Sequence, residues 1–202
     1  QTNPTVRVLQ LNCAAMGARS PLLPVAKTLE ALTTGRDRAP SLSQLLGAPE
    51  PQMLDRLAQF LSLGGTPRRD STLSLRDRDG VLEFLSDWII NGATGPTLVV
   101  LENAQWADDS TRELLKRTAE RARQDGAALM LIAAGREDSA DIWQDATGHQ
   151  TLTLTPLAAR HCETLLQGIF GTKPVAHSIR KNILDHSGGN PLMLETLGHA
   201  QA

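Results

Sequence analysis

The chain has 202 residues, of which 41% are hydrophobic and only 3% aromatic, so one large α/β domain, or a core with a small appendage, must be filled by aliphatic side chains. A formal net charge of −2 excludes a general attraction to nucleic acid or to an anionic membrane. Cys13 and Cys162 are too few for a disulfide framework, and no apolar run approaches the roughly 18 residues that span a bilayer.

Residues 6–11 alternate apolar and polar side chains and predict a strand ending at Asn12-Cys13. Residues 14–24 form a turn-rich link, and Pro24 suits the first turn of a helix carrying Val25, Leu29 and Leu32. Residues 35–49 are polar and broken by Pro and Gly. Met53, Leu54, Leu57, Phe60 and Leu61 then recur at helical spacing, with a stop at Gly64-Gly65. Residues 66–74 read as a loop, and Val81, Leu82, Leu85, Trp88 and Ile89 mark a further helix closed by Gly92 and Gly95-Pro96.

From there the pattern alternates. Residues 98–101 are a continuous apolar run, the signature of a strand covered on both faces. Asp108 or Asp109 caps a helix to about Gln124, with Glu113 and Arg117, and Lys116 and Glu120, spaced as pairs. Residues 127–134 predict a second apolar strand ending at Gly135-Arg136, and residues 151–154 a third, less buried one. Helices follow over 157–167, 175–186 and 191–199. The predicted fold class is therefore α/β: a parallel core over residues 1–156 and a helical extension over 157–202.

Ligands of open α/β sheets bind beyond the carboxyl ends of the strands. Those ends offer Asn12 and Cys13, Glu102 and Asn103, Arg136, and Thr155. Glu102, after four apolar residues, can reach a Mg²⁺ that bridges nucleotide phosphates, or it can be a solvated strand terminus. Asn103 stands where a general base is useful, but an amide orients water without accepting its proton; alone it is a turn residue. Arg136 can grip a terminal phosphate bidentately or pair with Glu137 or Asp138. In Gly188-Gly189-Asn190-Pro191 the glycines end one helix, Asn190 caps the next and Pro191 takes its first position, although so tight a turn also brings backbone close to a ligand. The five His residues form no metal pattern, both cysteines suit small core positions, and Trp106 suits a residue packing down the strand-to-helix turn. No nucleophile elbow, Gly-x-Ser-x-Gly, is present.

Taken together, Leu98-Val99-Val100-Leu101-Glu102-Asn103-Ala104-Gln105-Trp106-Ala107-Asp108-Asp109-Ser110-Thr111, with Leu114-Leu115 following, resembles the Walker B region of AAA-like STAND ATPase modules. These occur in large bacterial LuxR-type transcription regulators, multidomain class III adenylate cyclases and some serine/threonine kinases. In the family's order, residues 131–137 are similar to the next strand with its sensor arginine, residues 152–157 to the strand entering a helical lid, and residues 187–192 to a Gly-Asn-Pro turn. Asn12-Cys13 and Ser20-Pro21-Leu22-Leu23-Pro24 are similar to the strand after the Walker A helix and the segment behind it. The resemblance implies a P-loop NTPase-like parallel sheet flanked by helices, a C-terminal helical lid, and ATP with Mg²⁺ as cofactors. It implies Glu102 at the metal, Glu102 and Asn103 in the catalytic positions, and Arg136, Asn190 and Pro191 against the nucleotide.

Two departures bear on function. The family's Walker B pair is usually Asp followed by Asp or Glu, whereas Glu102-Asn103 removes the usual base. The Walker A loop, Gly-rich and ending Gly-Lys-Ser/Thr, is nowhere in the 202 residues, and an opening at Gln1 without Met reads as an excised or incompletely resolved fragment. The resemblance puts the Walker A strand centrally, between the third and fourth of the others. Its absence predicts a rearranged sheet, or completion by missing chain, a neighbouring molecule or a partner.

The expected function is an ATP-binding regulatory switch, with weak hydrolysis or none, in a larger cytoplasmic protein of signal transduction or transcription regulation. Binding would bias the angle between core and lid. The expected partners are ATP or ADP, a covalently linked effector domain and a further copy through self-association, with no membrane and no direct nucleic-acid contact. The alternative is a degenerate, non-catalytic P-loop-like domain serving as a protein-interaction scaffold.

Overall fold

A computed structural model describes residues 5–15, 20–34, 40–61, 74–92, 95–136 and 148–201. The expected stop at Gly64-Gly65, most of the 66–74 loop, and the Glu137 and Asp138 partners of Arg136 lie outside the described residues. The chain divides into two units, Gln1–Thr151 and Leu152–Ala202.

In the first unit, three parallel strands pair in the order β1 (Arg7–Asn12), β2 (Thr97–Glu102) and β3 (Leu129–Ala134). Helices α1 (Leu23–Thr33), α2 (Leu42–Leu45), α3 (Pro51–Phe60) and α4 (Leu75–Asn91) lie between β1 and β2, and α5 (Asp109–Asp125) joins β2 to β3. The register sets Leu9, Val99 and Leu131 abreast, then Leu11, Leu101 and Ala133. Leu9, Leu11, Val99 and Leu101 are buried in one core with Leu29 of α1, Leu57 of α3, Leu82 and Leu85 of α4, and Leu114 and Leu115 of α5. Parallel strands joined by right-handed crossovers that always advance in one direction carry their helices on one face, and this arrangement follows.

The opposite face is different. Val8, Leu98 and Met130 stand abreast there, followed by Gln10, Val100 and Ile132. Val8 is 57%, Met130 61% and Ile132 41% exposed. Leu98 and Val100 are half-buried. The two-faced burial predicted from the 98–101 run is thus realised on one face only. No gap opens between the three strands; the sheet instead stops at β3, whose outer edge pairs with no strand among the described residues.

Local signals explain most element ends. Asp108 caps α5 and Gly126, at φ 64°, closes it. Ser74 caps α4, which starts earlier than the Val81 apolar pattern suggested. α2 lies in the segment read as broken and polar, and is held by a reciprocal capping box between Ser41 and Gln44.

The second unit packs α6 (Ala159–Phe170), α7 (His177–Ser187) and α8 (Pro191–His199) around Cys162, Leu166, Phe170, Ile183 and Leu194. The strand predicted over 151–154 does not form. Leu152 and Leu154 are 84% and 85% exposed. Alternating Leu and Thr supply strand propensity, but that propensity is expressed only against a neighbouring strand. Just after it, Leu157 donates its N–H to the Gly189 carbonyl (2.9 Å), tying this segment to the helical unit. Both cysteines are free and buried, and no helix among the described residues is long and apolar enough to cross a membrane.

Candidate functional site

β2 ends on Glu102, which the register places abreast of Asn12 and Ala134. Strand alternation puts its side chain on the face of Leu98 and Val100, opposite the core that the first unit's helices share with Val99 and Leu101. The Glu102 carboxylate is half-buried and makes no hydrogen bond or ion pair among the described residues, while its backbone carbonyl accepts the Cys13 N–H (3.1 Å). This amide bond carries the pairing of β1 and β2 one step past the strands and fixes the start of the loop after β1.

Asn103 takes the left-handed conformation at φ 56°, which asparagine tolerates better than most residues. That reversal turns the chain into a single 3-10 turn, Ala104–Trp106, closed by Trp106 N–H on the Asn103 carbonyl (2.9 Å). Ala104 is buried and Trp106 packs against the core, as expected of a residue that holds the turn down.

Arg136 emerges just beyond β3. Its backbone N–H donates to Gln105 Oε1 (3.4 Å), and its guanidinium lies 5.9 Å from the centre of the Trp106 ring. Gln105 and Trp106 therefore hold Arg136 alongside the end of β2. Glu102, Asn103 and Arg136 come together at one edge of one sheet.

Asp108 is buried and does more than cap a helix. Its Oδ1 accepts the N–H of Thr111 (3.0 Å) and the N–H of Leu22 (3.2 Å), and its Oδ2 accepts the Thr111 hydroxyl (2.6 Å). Leu22 is fully buried in the left-handed region at φ 53°, an uncommon conformation for a branched side chain, immediately before α1. One carboxylate thus clamps the loop after β1 to the helix after β2. Capping preference marks Asp108 from the sequence, but the partner from residue 22 had no signal there.

Burial, and secondarily the negative Asp108, push the Cys13 thiol from 9.0 up to about 11. Cys13 is therefore a protonated core thiol at neutral pH and no nucleophile. An unfolded chain releases this proton near 9.0 whereas the folded chain keeps it until about 11, so stability falls as pH rises through that window. Denaturant midpoints measured across it should decline more steeply for the wild type than for Cys13→Ala; parallel curves would contradict the assignment.

Asn190 and Pro191 belong to the second unit. Asn190 Oδ1 accepts the N–H groups of Leu192 (3.0 Å) and Met193 (3.3 Å), and Pro191 is the first residue of α8, as their capping pattern predicts. Asn190's oxygen is thus occupied.

No group of three or more His, Cys, Asp or Glu side chains suited to a metal occurs among the described residues. Mg²⁺ at nucleotide sites takes one or two carboxylates and completes its shell with phosphates and water, and the unengaged Glu102 carboxylate fits such a share. Comparison with protein-family models, with curated proteins and with solved structures finds no match to this chain.

Proposed function

We propose that the chain is an ATP-binding regulatory module, a P-loop NTPase-like switch of the AAA-like STAND kind within a larger signalling or transcription-regulating protein. The observation that carries this reading is the carboxyl edge of the sheet: the unengaged Glu102 carboxylate stands beside Asn103, with Arg136 held near by Gln105 and Trp106. That is the edge where parallel α/β sheets bind ligands.

In this function Glu102 holds Mg²⁺, directly or through its waters, and the metal neutralises phosphate charge when bound. Arg136 offers its guanidinium to a terminal phosphate. Asn103 orients water but accepts no proton, so turnover is slow or absent. Asn190 and Pro191 lie in the second unit, where they start α8 and the Asn190 oxygen caps it.

Calorimetric titration of ATP·Mg²⁺ into the intact polypeptide tests the proposal: saturable binding supports it, and none would favour the scaffold alternative. Within a binding-competent protein, Asn103→Asp is expected to raise hydrolysis ~100-fold, the low end of general-base contributions. Unchanged turnover with binding intact would remove Asn103 from the mechanism.

A further inference from the structure

Two consecutive residues of one turn contact a single residue at the next strand end. Gln105 Oε1 accepts the Arg136 N–H (3.4 Å), and the Trp106 ring faces the Arg136 guanidinium, 5.9 Å from the ring centre. The first contact holds the backbone beyond β3, and the second holds the charged tip. The turn that bears them is itself anchored. Trp106 donates its N–H to the Asn103 carbonyl (2.9 Å), Ala107 donates its own to the Ala104 carbonyl (3.1 Å), and both alanines are buried. Trp106 is half-buried against the core, whereas Arg136 is exposed. A fixed ring thus faces a long side chain at the surface.

Packing the turn down asks only for an apolar side chain at position 106. Facing a guanidinium is a separate property of an aromatic ring, whose negative face attracts a cation. Arginine suits such a seat, because it stacks through the face of its guanidinium and keeps its in-plane N–H donors for a phosphate. The seat therefore takes no donor away from a ligand, and it removes rotamers that a binding phosphate would otherwise have to freeze. A contact of this kind at an exposed position shifts an equilibrium by roughly 2- to 5-fold.

We propose that Trp106, assisted by Gln105, is a positioning residue that makes the site prefer a nucleoside triphosphate to a diphosphate. It acts through Arg136, by setting the guanidinium in place for the third phosphate. Glu102 stands abreast of Ala134, and Arg136 follows two residues later. A metal at Glu102 and a guanidinium at Arg136 therefore stand at separate points along one phosphate chain. This inference rests on the nucleotide reading of the site.

The test titrates ATP and ADP, each with Mg²⁺, into the intact polypeptide and reads the ratio of the two affinities. Trp106→Leu is expected to weaken ATP roughly 3-fold and to leave ADP unchanged. Trp106→Phe keeps a ring face and should retain most of the preference for ATP. Gln105→Leu, with the ring in place, should lower that preference by a smaller factor, and it carries the test if Trp106→Leu does not fold. In an Arg136→Ala background, Trp106→Leu should change the ratio no further. Equal losses for ATP and ADP, no loss for ATP, or the same loss with and without Arg136 would each overturn the inference while nucleotide binding stands. A wild type that binds neither nucleotide would overturn the nucleotide reading and this inference with it.

Discussion

Asp108→Ala is expected to destabilise the first unit by about 3 kcal/mol. The variant loses an N-cap, worth about 1 kcal/mol, and leaves the Leu22 N–H without its acceptor, at roughly 1–3 kcal/mol for a buried donor. The fully buried Thr111 hydroxyl loses its partner as well. Asp108→Asn keeps an oxygen for the two N–H groups, and its amide nitrogen can donate to the Thr111 hydroxyl, so its loss should be near ~1 kcal/mol. Urea denaturation followed by tryptophan fluorescence separates the two variants. Equal midpoints for Asp108→Ala and wild type would show that the clamp between residue 22 and α5 carries no stability.

Gly189→Ala should have a comparable effect on the helical unit. Gly189 sits at φ 79°, and a Cβ there would lie 2.7 Å from the Leu157 carbonyl oxygen and 3.0 Å from Pro156 Cβ. The left-handed conformation alone costs alanine about 1–2 kcal/mol, and displacing a backbone carbonyl adds to it, for a total of roughly 2–4 kcal/mol. The Leu157–Gly189 hydrogen bond would be lost with that displacement. Gly188 provides the control: it is also left-handed, at φ 54°, but nothing lies within 4 Å of its would-be Cβ. Gly188→Ala should therefore cost only the conformational share, about 1–2 kcal/mol. Amide exchange in α6, α7 and α8 reads the difference, and equal losses for the two variants would contradict the steric account.

The strands and helices with strong local signals were legible from the residues alone. The apolar run ending at Glu102, the Asp108 cap and the Asn190-Pro191 start of α8 all lie where their chemistry puts them. The short helix at Leu42–Leu45 also had a signal, Ser41 and Gln44 at capping-box spacing, but a polar segment with Pro and Gly masked it. What escaped depends on distant chain. Residues 151–154 have strand composition and pair with no strand among the described residues, so propensity alone misled. Residues 98–101 read as covered on both faces because continuous apolar runs in parallel strands normally are; that Leu98 and Val100 are only half-buried follows from the order of the strands in space.

At the candidate site the same division holds. Glu102, Asn103 and Arg136 could be picked as strand ends, because ends are local. The grip of Gln105 and Trp106 on Arg136 spans β2 and β3, and the bond from Leu22 to Asp108 spans β1 and α5. Neither has a sequence spacing that announces it. Both lie within or beside the Gln-Trp-Ala-Asp motif, which supplies a physical reason for each of its polar positions: Gln105 receives the strand beyond, Trp106 holds the turn and faces the arginine, and Asp108 clamps the loop before.

In the proposed function Glu102 serves a magnesium-bound nucleotide. Its most direct test is the affinity of the intact polypeptide for ATP, with and without Mg²⁺, in the wild type and in Glu102→Gln. Mg²⁺ should tighten binding to the wild type by at least ~10-fold, equivalent to about 1.4 kcal/mol, and should give Glu102→Gln little or no such gain. An equal Mg²⁺ effect in both proteins would contradict the assignment of Glu102.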